Sequence, residues 1–272
     1  MGLRINTNVA ALNSARILRR STTSLNKSLE RLASGLRINR AADDAAGLAI
    51  SEAFRTLIRG SQVAQRNAQD GVSLIQTAEG ALETTTNMLQ RIRELAVQSA
   101  NGTNSTSNRE SLQLEVAQLL EQIDDIAFDT EFNGLRVLST AQTVTLQAGS
   151  QAGQTLTLTV SGSTTADLQV SRVTISSMVS AVSALSTIDV AIRSVTLLRA
   201  SFGAIQNRLD FTLNMLLIQE ENSTSAESVL RDSDVARETI DFTRNQILVS
   251  AGTAVLAQSN VIPQTALQLL GG

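Results

Sequence analysis

Residues 50–99 read ISEAFRTLIRGSQVAQRNAQDGVSLIQTAEGALETTTNMLQRIRELAVQS. Moving alternately by four and three residues from Ile50 picks out Ile50, Phe54, Leu57, Ser61, Ala64, Ala68, Gly71, Ile75, Ala78, Leu82, Thr85, Leu89, Ile92, Ala96 and Ser99. All are small or apolar and none is charged. Residues so spaced share one helix face and form the seam of a coiled coil. A second stripe, Leu74, Ala81, Met88 and Leu95, repeats at spacing seven. One seam would serve a two-helix hairpin, whereas two require at least two packing partners. A straight helix drifts about 20° per heptad against this pattern, so the helix must supercoil or change partners. At about 1.5 Å per residue, a helix over 44–100 spans roughly 85 Å, too long for one compact domain.

The same spacing recurs on both sides. Leu18, Leu25, Leu29, Leu32 and Leu36 mark an N-terminal helix, with Ala11 and Ala15 extending it weakly. Gly35 lies near its end, and Asp43 or Asp44 is placed to cap the next helix. After the turn cluster 101–108, Leu112, Val116, Leu119, Ile123 and Ile126 mark a third helix, and the short loop makes an antiparallel hairpin with the second. Thr130 to Gly134 ends it. The period then changes to two. Thr143–Gln147 and Thr155–Val160 alternate around a glycine-bearing turn, predicting a β-hairpin, and 161–176 is Ser/Thr-rich without a clear assignment. Leu185, Ile188, Ile192, Val195, Phe202, Leu209, Leu213 and Leu216 predict a helix over about 177–221, interrupted at Asn222-Ser223-Thr224-Ser225. The last segment carries Ile240 and the apolar pairs Ile247-Leu248, Ala254-Val255 and Val261-Ile262, and Pro263 should kink or end it.

These elements predict a mainly α chain: an elongated antiparallel helical bundle or coiled coil with a small β-hairpin. Each terminal segment is a single amphipathic stripe, and their pairing with each other is the economical solution. The expected domains are 1–43 plus 224–272, a terminal coiled coil, and 44–223, a helical rod with its β-hairpin region at about 140–176.

Composition limits the chemistry. The 272 residues contain no His, Cys, Trp or Tyr, one Pro and one Lys (Lys27), and aromatics make up 2%. Without Cys or His there is no disulfide, thiolate nucleophile, Ser-His-Asp triad or His/Cys metal site. Only a carboxylate or Ser/Lys mechanism stays open, and neither a catalytic residue nor a cofactor or metal is assigned. The net charge of −3 and the scarcity of stacking rings argue against a nucleic-acid partner. No run of 18 uninterrupted apolar residues predicts membrane insertion, and no cleavable signal is visible. Asp43-Asp44 and Asp124-Asp125 are read as a helix cap and a solvated helix face, since neighbours on a helix do not face each other. Four Asn-X-Ser/Thr triplets carry no weight in so Ser/Thr-rich a chain. Arg91-Ile92-Arg93-Glu94 is either a solvated, locally paired face or a protein-contact patch.

The sequence resembles bacterial flagellin. The N-terminal blocks are Ile5-Asn6-Thr7-Asn8, Ser28 to Asn39 (SLERLASGLRIN), Ala41 to Glu52 (AADDAAGLAISE), Arg66 to Gly71 (RNAQDG), Gln76 to Leu82 (QTAEGAL), Arg93 to Gln98 (RELAVQ) and Phe132-Asn133-Gly134. The C-terminal blocks are Gly203 to Leu209 (GAIQNRL), Ala251 to Asn260 (AGTAVLAQSN) and Pro263-Gln264. Phe202 stands where a Leu is usual. The resemblance covers about 1–140 and 185–270. It implies a structural subunit, not an enzyme, that self-assembles into the helical filament of the flagellum outside the cell. It further implies export through the flagellar apparatus with a chaperone, contacts with hook-associated and cap proteins, and terminal segments that pair in the filament core. About 45 residues, 140–184, stand where outer domains are inserted, so no large outer domain is expected. The self-assembly seams are then Leu18, Leu25, Leu29, Leu32, Leu36, Ile240, Ile247, Leu248, Val255 and Ile262. The positions matching the patch sensed by the animal Toll-like flagellin receptor are Gln90, Arg91, Leu95 and Glu115. A hook–filament junction protein and an amphipathic membrane-active or translocator protein are the alternatives.

Overall fold

A computed structural model describes residues 7–270, with side chains left undescribed at 262–264 and 266–270. The chain is mainly α. Among the described residues there are five helices, α1 (Val9–Ser34), α2 (Ala45–Ala100), α3 (Thr106–Asp129), α4 (Met178–Arg231) and α5 (Val235–Leu270), and two small antiparallel strand pairs. The first pair is β1 (Glu131–Phe132) with β2 (Leu135–Arg136). The second is β3 (Gln142–Gln147) with β4 (Thr155–Val160). The residues fall into two compact units, Leu57–Glu221 and Met1–Thr56 with Asn222–Gly272.

In the unit Leu57–Glu221, the α2 seam is the core. Every seam position from Ser61 to Ser99 is buried, including the polar Ser61, Thr85 and Ser99. The heptad reading therefore holds over this stretch; only its first position, Ile50, is largely exposed. Leu74 and Leu95 of the second stripe are buried as well, joining Val116 and Ile123 of α3 and Ile188, Val195, Phe202 and Leu209 of α4 in one cluster. Ion pairs join the outer surfaces: Arg93 to Asp189 at 2.7 Å and Arg199 to Glu79 at 3.6 Å. Glu220 accepts from Gln62 at 2.7 Å and from Gln65 at 2.8 Å, and these two amides hold its pKa below the usual carboxylate value.

The predicted hairpin is present. In β4, Leu156, Leu158 and Val160 are buried and the intervening threonines exposed, the period-two pattern of a half-buried strand. Leu146 of β3 packs against Gly71, where a Cβ would collide with it, and Asn67 donates to the Gln147 carbonyl at 3.0 Å. Gly71 thus admits the hairpin to the helix.

One local expectation is extended and three are corrected. First, α3 does end at Thr130, its C-cap, and the chain beyond it also folds into the β1–β2 hairpin. Asn133 and Gly134 carry φ of 50° and 77°, the positive values a type I′ turn requires. Second, residues 161–176 contain no strand, so the β region ends with β4. Asp124 organises this segment by accepting from both the backbone N–H and the hydroxyl of Thr165 at 2.7 Å. It is therefore a structural acceptor and not a solvated surface carboxylate. Third, α4 is not interrupted at Asn222–Ser225. Helix propensities of Ser, Thr and Asn trail Ala by only a fraction of a kcal/mol, about 0.7 at most, and Ser223 is buried. The break falls at 232–234, where Asp234 Oδ1 accepts from Ala236 N at 2.9 Å and caps α5. Fourth, α5 runs past Pro263 to Leu270. By length and mean hydropathy α4 is also apolar enough to cross a membrane, a property the uninterrupted-run criterion missed because Ser and Thr are interspersed.

In the other unit, α1 and α5 pack together. Asn8 caps α1 by accepting from Ala11 N at 3.0 Å, and Gly35, at φ 71°, ends it in the left-handed conformation. The two interhelix loops then pair: Leu36 bridges Asp232, and Ser233 N donates to the Gly35 carbonyl at 2.9 Å. Asp44 caps α2 through Gly47 N at 2.8 Å. Asp43 accepts from Asn39 N and Arg40 N and pairs with Lys27, the single lysine, at 2.7 Å. Lys27, with the two amides, holds the Asp43 pKa below its ordinary 3.8, against a smaller opposing effect of burial.

A depressed carboxylate pKa stabilises the fold above the unfolded value, and that contribution fades as pH falls through the folded value. Asp43→Asn is therefore expected to lower stability at pH 7 by no more than about 1 kcal/mol, because Lys27 is well exposed. The difference from the parent chain should vanish on acidification below the ordinary carboxylate range. Melting curves from pH 7 downward check this; a difference that does not change with pH contradicts it.

Candidate functional site

The terminal helices carry the candidate surface. Three contacts set the register of α1 on α5. Asn8 Nδ2 donates to the Ser259 carbonyl at 2.8 Å, Leu18 packs over Gly252, and Arg31 pairs with Glu238 at 3.5 Å. The residue numbers run in opposite senses, so the helices are antiparallel. On α1 the row Ala11, Leu18, Ser21, Leu25, Ser28 and Leu32 is withdrawn from solvent, with Ser14 and Ala15 between its first two members and Thr22, Glu30 and Arg31 half-buried beside it. On α5 the matching row is Glu238, Phe242, Asn245, Val249, Gly252, Leu256 and Ser259, with Asp241 half-buried beside it.

The residues singled out from the sequence divide accordingly. Leu18, Leu25 and Leu32 lie half-buried in the α1–α5 seam, and Leu36 is half-buried in the loop beyond. Leu29 is 47% exposed. Ile240, Ile247, Leu248 and Val255 all lie on the solvent side of α5, with Ile247 62% exposed. The Ile262 side chain lies outside the described residues. Pairing with α1 therefore uses a different α5 face from the one its most apolar pairs suggested. The residues missed are Phe242, Val249 and Leu256. Their own heptad spacing is visible in the sequence, but Asn245, Gly252 and Ser259 dilute it, whereas Ile247-Leu248 and Val261-Ile262 form denser pairs. A two-helix contact buries only a narrow strip, and small or polar residues suffice there. The outcome is a stripe of Ile240, Ile247, Ala254 and Val261, one heptad apart and solvent-facing. Val9 and Leu12 are similarly exposed on α1.

A second surface lies in the unit Leu57–Glu221. Gln90 and Arg91 project from α2 into solvent, and Arg91 reaches Glu115 of α3 at 2.9 Å and Glu94 at 3.0 Å. Glu115 first, then Glu94, raises the Arg91 pKa above its ordinary value. Leu95 is 1% exposed and supports these residues from inside the core, so its side chain presents no surface. Among the described residues, no three His, Cys, Asp or Glu side chains converge as a metal would need.

Residues 5–145 match the bacterial flagellin N-terminal helical region, and residues 185–270 match the bacterial flagellin C-terminal helical region. The flagellin of Halalkalibacterium halodurans is 46% identical, over 98% of this chain and 99% of its own length. The flagellar filament 31.3 kDa core protein of Treponema maltophilum is 42% identical over the same shares. Among solved structures, one from Vibrio parahaemolyticus described as a flagellar hook-associated protein aligns with a TM-score of 0.59. It covers 70% of this chain and 99% of that one at 12% identity, a likeness of fold alone.

Proposed function

The chain belongs to the bacterial flagellin family, and from that premise we propose that it polymerises into a flagellar filament through the solvent-facing stripes of α1 and α5. It is a structural subunit. The observation that carries the mechanism is the heptad row Ile240, Ile247, Ala254 and Val261, left uncovered when α1 and α5 pair. A long apolar stripe facing water marks an interaction surface, and the seam spacing suits a further helix of the same kind. Head-to-tail contacts between copies extend without closing, which is what a helical filament needs.

By family resemblance, the subunit is exported through the flagellar apparatus with a chaperone and meets hook-associated and cap proteins outside the cell. The exposed Gln90, Arg91 and Glu115, backed by Leu95, form the surface that an animal Toll-like flagellin receptor would meet. The Arg91–Glu115 pair supports this reading because it brings both charges together on that surface at 2.9 Å.

Seeded polymerisation viewed by electron microscopy tests the proposal. The full chain should extend seeds into long filaments. A chain trimmed of about 40 residues at each end should stay monomeric, because both stripes are removed. Long filaments from the trimmed chain would refute assembly through α1 and α5.

A further inference from the structure

The chain contains two Asn-Gly pairs, Asn101-Gly102 after α2 and Asn133-Gly134 in the β1–β2 turn. Asn-Gly is the dipeptide most open to deamidation, because glycine leaves its own N–H unshielded. Both pairs are solvent-exposed, so access does not distinguish them. Conformation does. Asn133 is held at φ 50° between two paired strands, and closing a ring onto Gly134 would require it to leave the turn. Asn101 lies beyond the last helical residue. Its Oδ1 accepts from Thr103 N at 3.3 Å, which draws the side-chain carbonyl back over the Gly102 peptide. Among the described residues nothing accepts from the Gly102 N–H.

Arg109 supplies the second observation. It is 8% exposed, and its guanidinium is satisfied by the Asn101 carbonyl at 3.0 Å, the Asn104 carbonyl at 3.3 Å and Ser99 Oγ at 3.5 Å. Among the described residues it has no carboxylate partner. A buried cation without an anion favours any step that places negative charge beside it.

We propose that Asn101-Gly102 is a self-modifying site, where Asn101 deamidates spontaneously and the new carboxylate pairs with Arg109. The Gly102 nitrogen gives its proton to solvent hydroxide and attacks Asn101 Cγ, and the water so formed returns a proton to the departing side-chain nitrogen. Arg109, donating to the Asn101 carbonyl, stabilises the Gly102 amidate, and Thr103 N–H stabilises the negative charge then gathering on Oδ1. The C–N bond to the side-chain nitrogen breaks and ammonia leaves, giving a five-membered succinimide. One water molecule opens that ring to aspartate or isoaspartate. The balance is one water consumed and one ammonia released, with no oxidant or cofactor.

The test is peptide mapping by mass spectrometry of the full-length protein incubated at mildly alkaline pH, folded and in urea. In the folded protein, conversion at Asn101 should outpace Asn133 by about tenfold, a barrier difference near 1.4 kcal/mol. In urea the two rates should converge. Equal rates in the folded chain, or an equal gap in urea, overturn the proposal. Gly102→Ala should silence Asn101 without disturbing the fold, because a Cβ there meets nothing within 4 Å; unchanged conversion also overturns it. Asn101→Asp should raise the melting temperature by pairing with Arg109, and a lowered one refutes the ion pair.

Discussion

Ile247→Asp should abolish filament growth while leaving the monomer as stable as before. Ile247 is 62% exposed, so the substitution removes little packing and its effect on monomer stability should stay within about 0.5 kcal/mol. In an assembled stripe the same aspartate would face apolar side chains. Burying an unpaired carboxylate costs several kcal/mol at each contact, and a filament repeats each contact along its length. Leu25→Asp is the contrasting case. Leu25 is half-buried in the seam between α1 and α5, so its replacement should unpair the helices within the monomer. Hydrogen exchange should accelerate along both α1 and α5, and growth should fail as a consequence. Sedimentation and electron microscopy report assembly, and exchange reports pairing. Normal filaments from the Ile247 variant would show that the exposed stripe is not the interface.

The second large effect is in the core of the unit Leu57–Glu221. Phe202→Ala should destabilise the protein by about 3–5 kcal/mol, the range for emptying a fully buried aromatic site. Phe202 has no exposed surface and is the largest fully buried side chain described. Rings are scarce, six Phe in the whole chain, so few side chains of that size exist to fill the cavity. Against a typical stability of about 5–15 kcal/mol this is a large fraction. Phe202→Leu, which keeps an apolar side chain of much of the same volume in the site, should cost far less. Phe211→Ala should be nearly neutral, because Phe211 is 75% exposed. Urea unfolding of the monomer should show the midpoint fall with little change in slope. A loss below about 1 kcal/mol for Phe202→Ala would mean that the site collapses around the missing ring.

Most of the architecture was legible because helices and strands write their burial into the sequence at different periods. Ser61 to Ser99 of α2 and Leu156, Leu158 and Val160 of β4 turned inward as their spacing required. The end of α3 at Thr130 was legible too, but the β1–β2 pair beyond it was not, because two-residue strands carry no periodicity. The break after α4 misled for another reason. Ser and Thr weaken a helix only slightly, whereas Asp234 supplies an actual cap. Asp124 and Arg109 act on backbone groups outside their own helix, the first at Thr165, so no local pattern announced them.

By itself the sequence determined the element types, the α2 seam, the hairpin and the pairing of the two termini. Periodicity states which residues share a face, and that is a local property of the backbone. Only the tertiary structure decided which of the two α5 faces meets α1. Phe242, Val249 and Leu256 turn inward, and the denser row through Ile247 stays outside. Apolar content alone cannot rank the faces, because the choice depends on register: Leu18 needs the small Gly252 opposite it, and Arg31 needs Glu238. Once those contacts place α1, the row through Ile247 on α5 is left facing solvent.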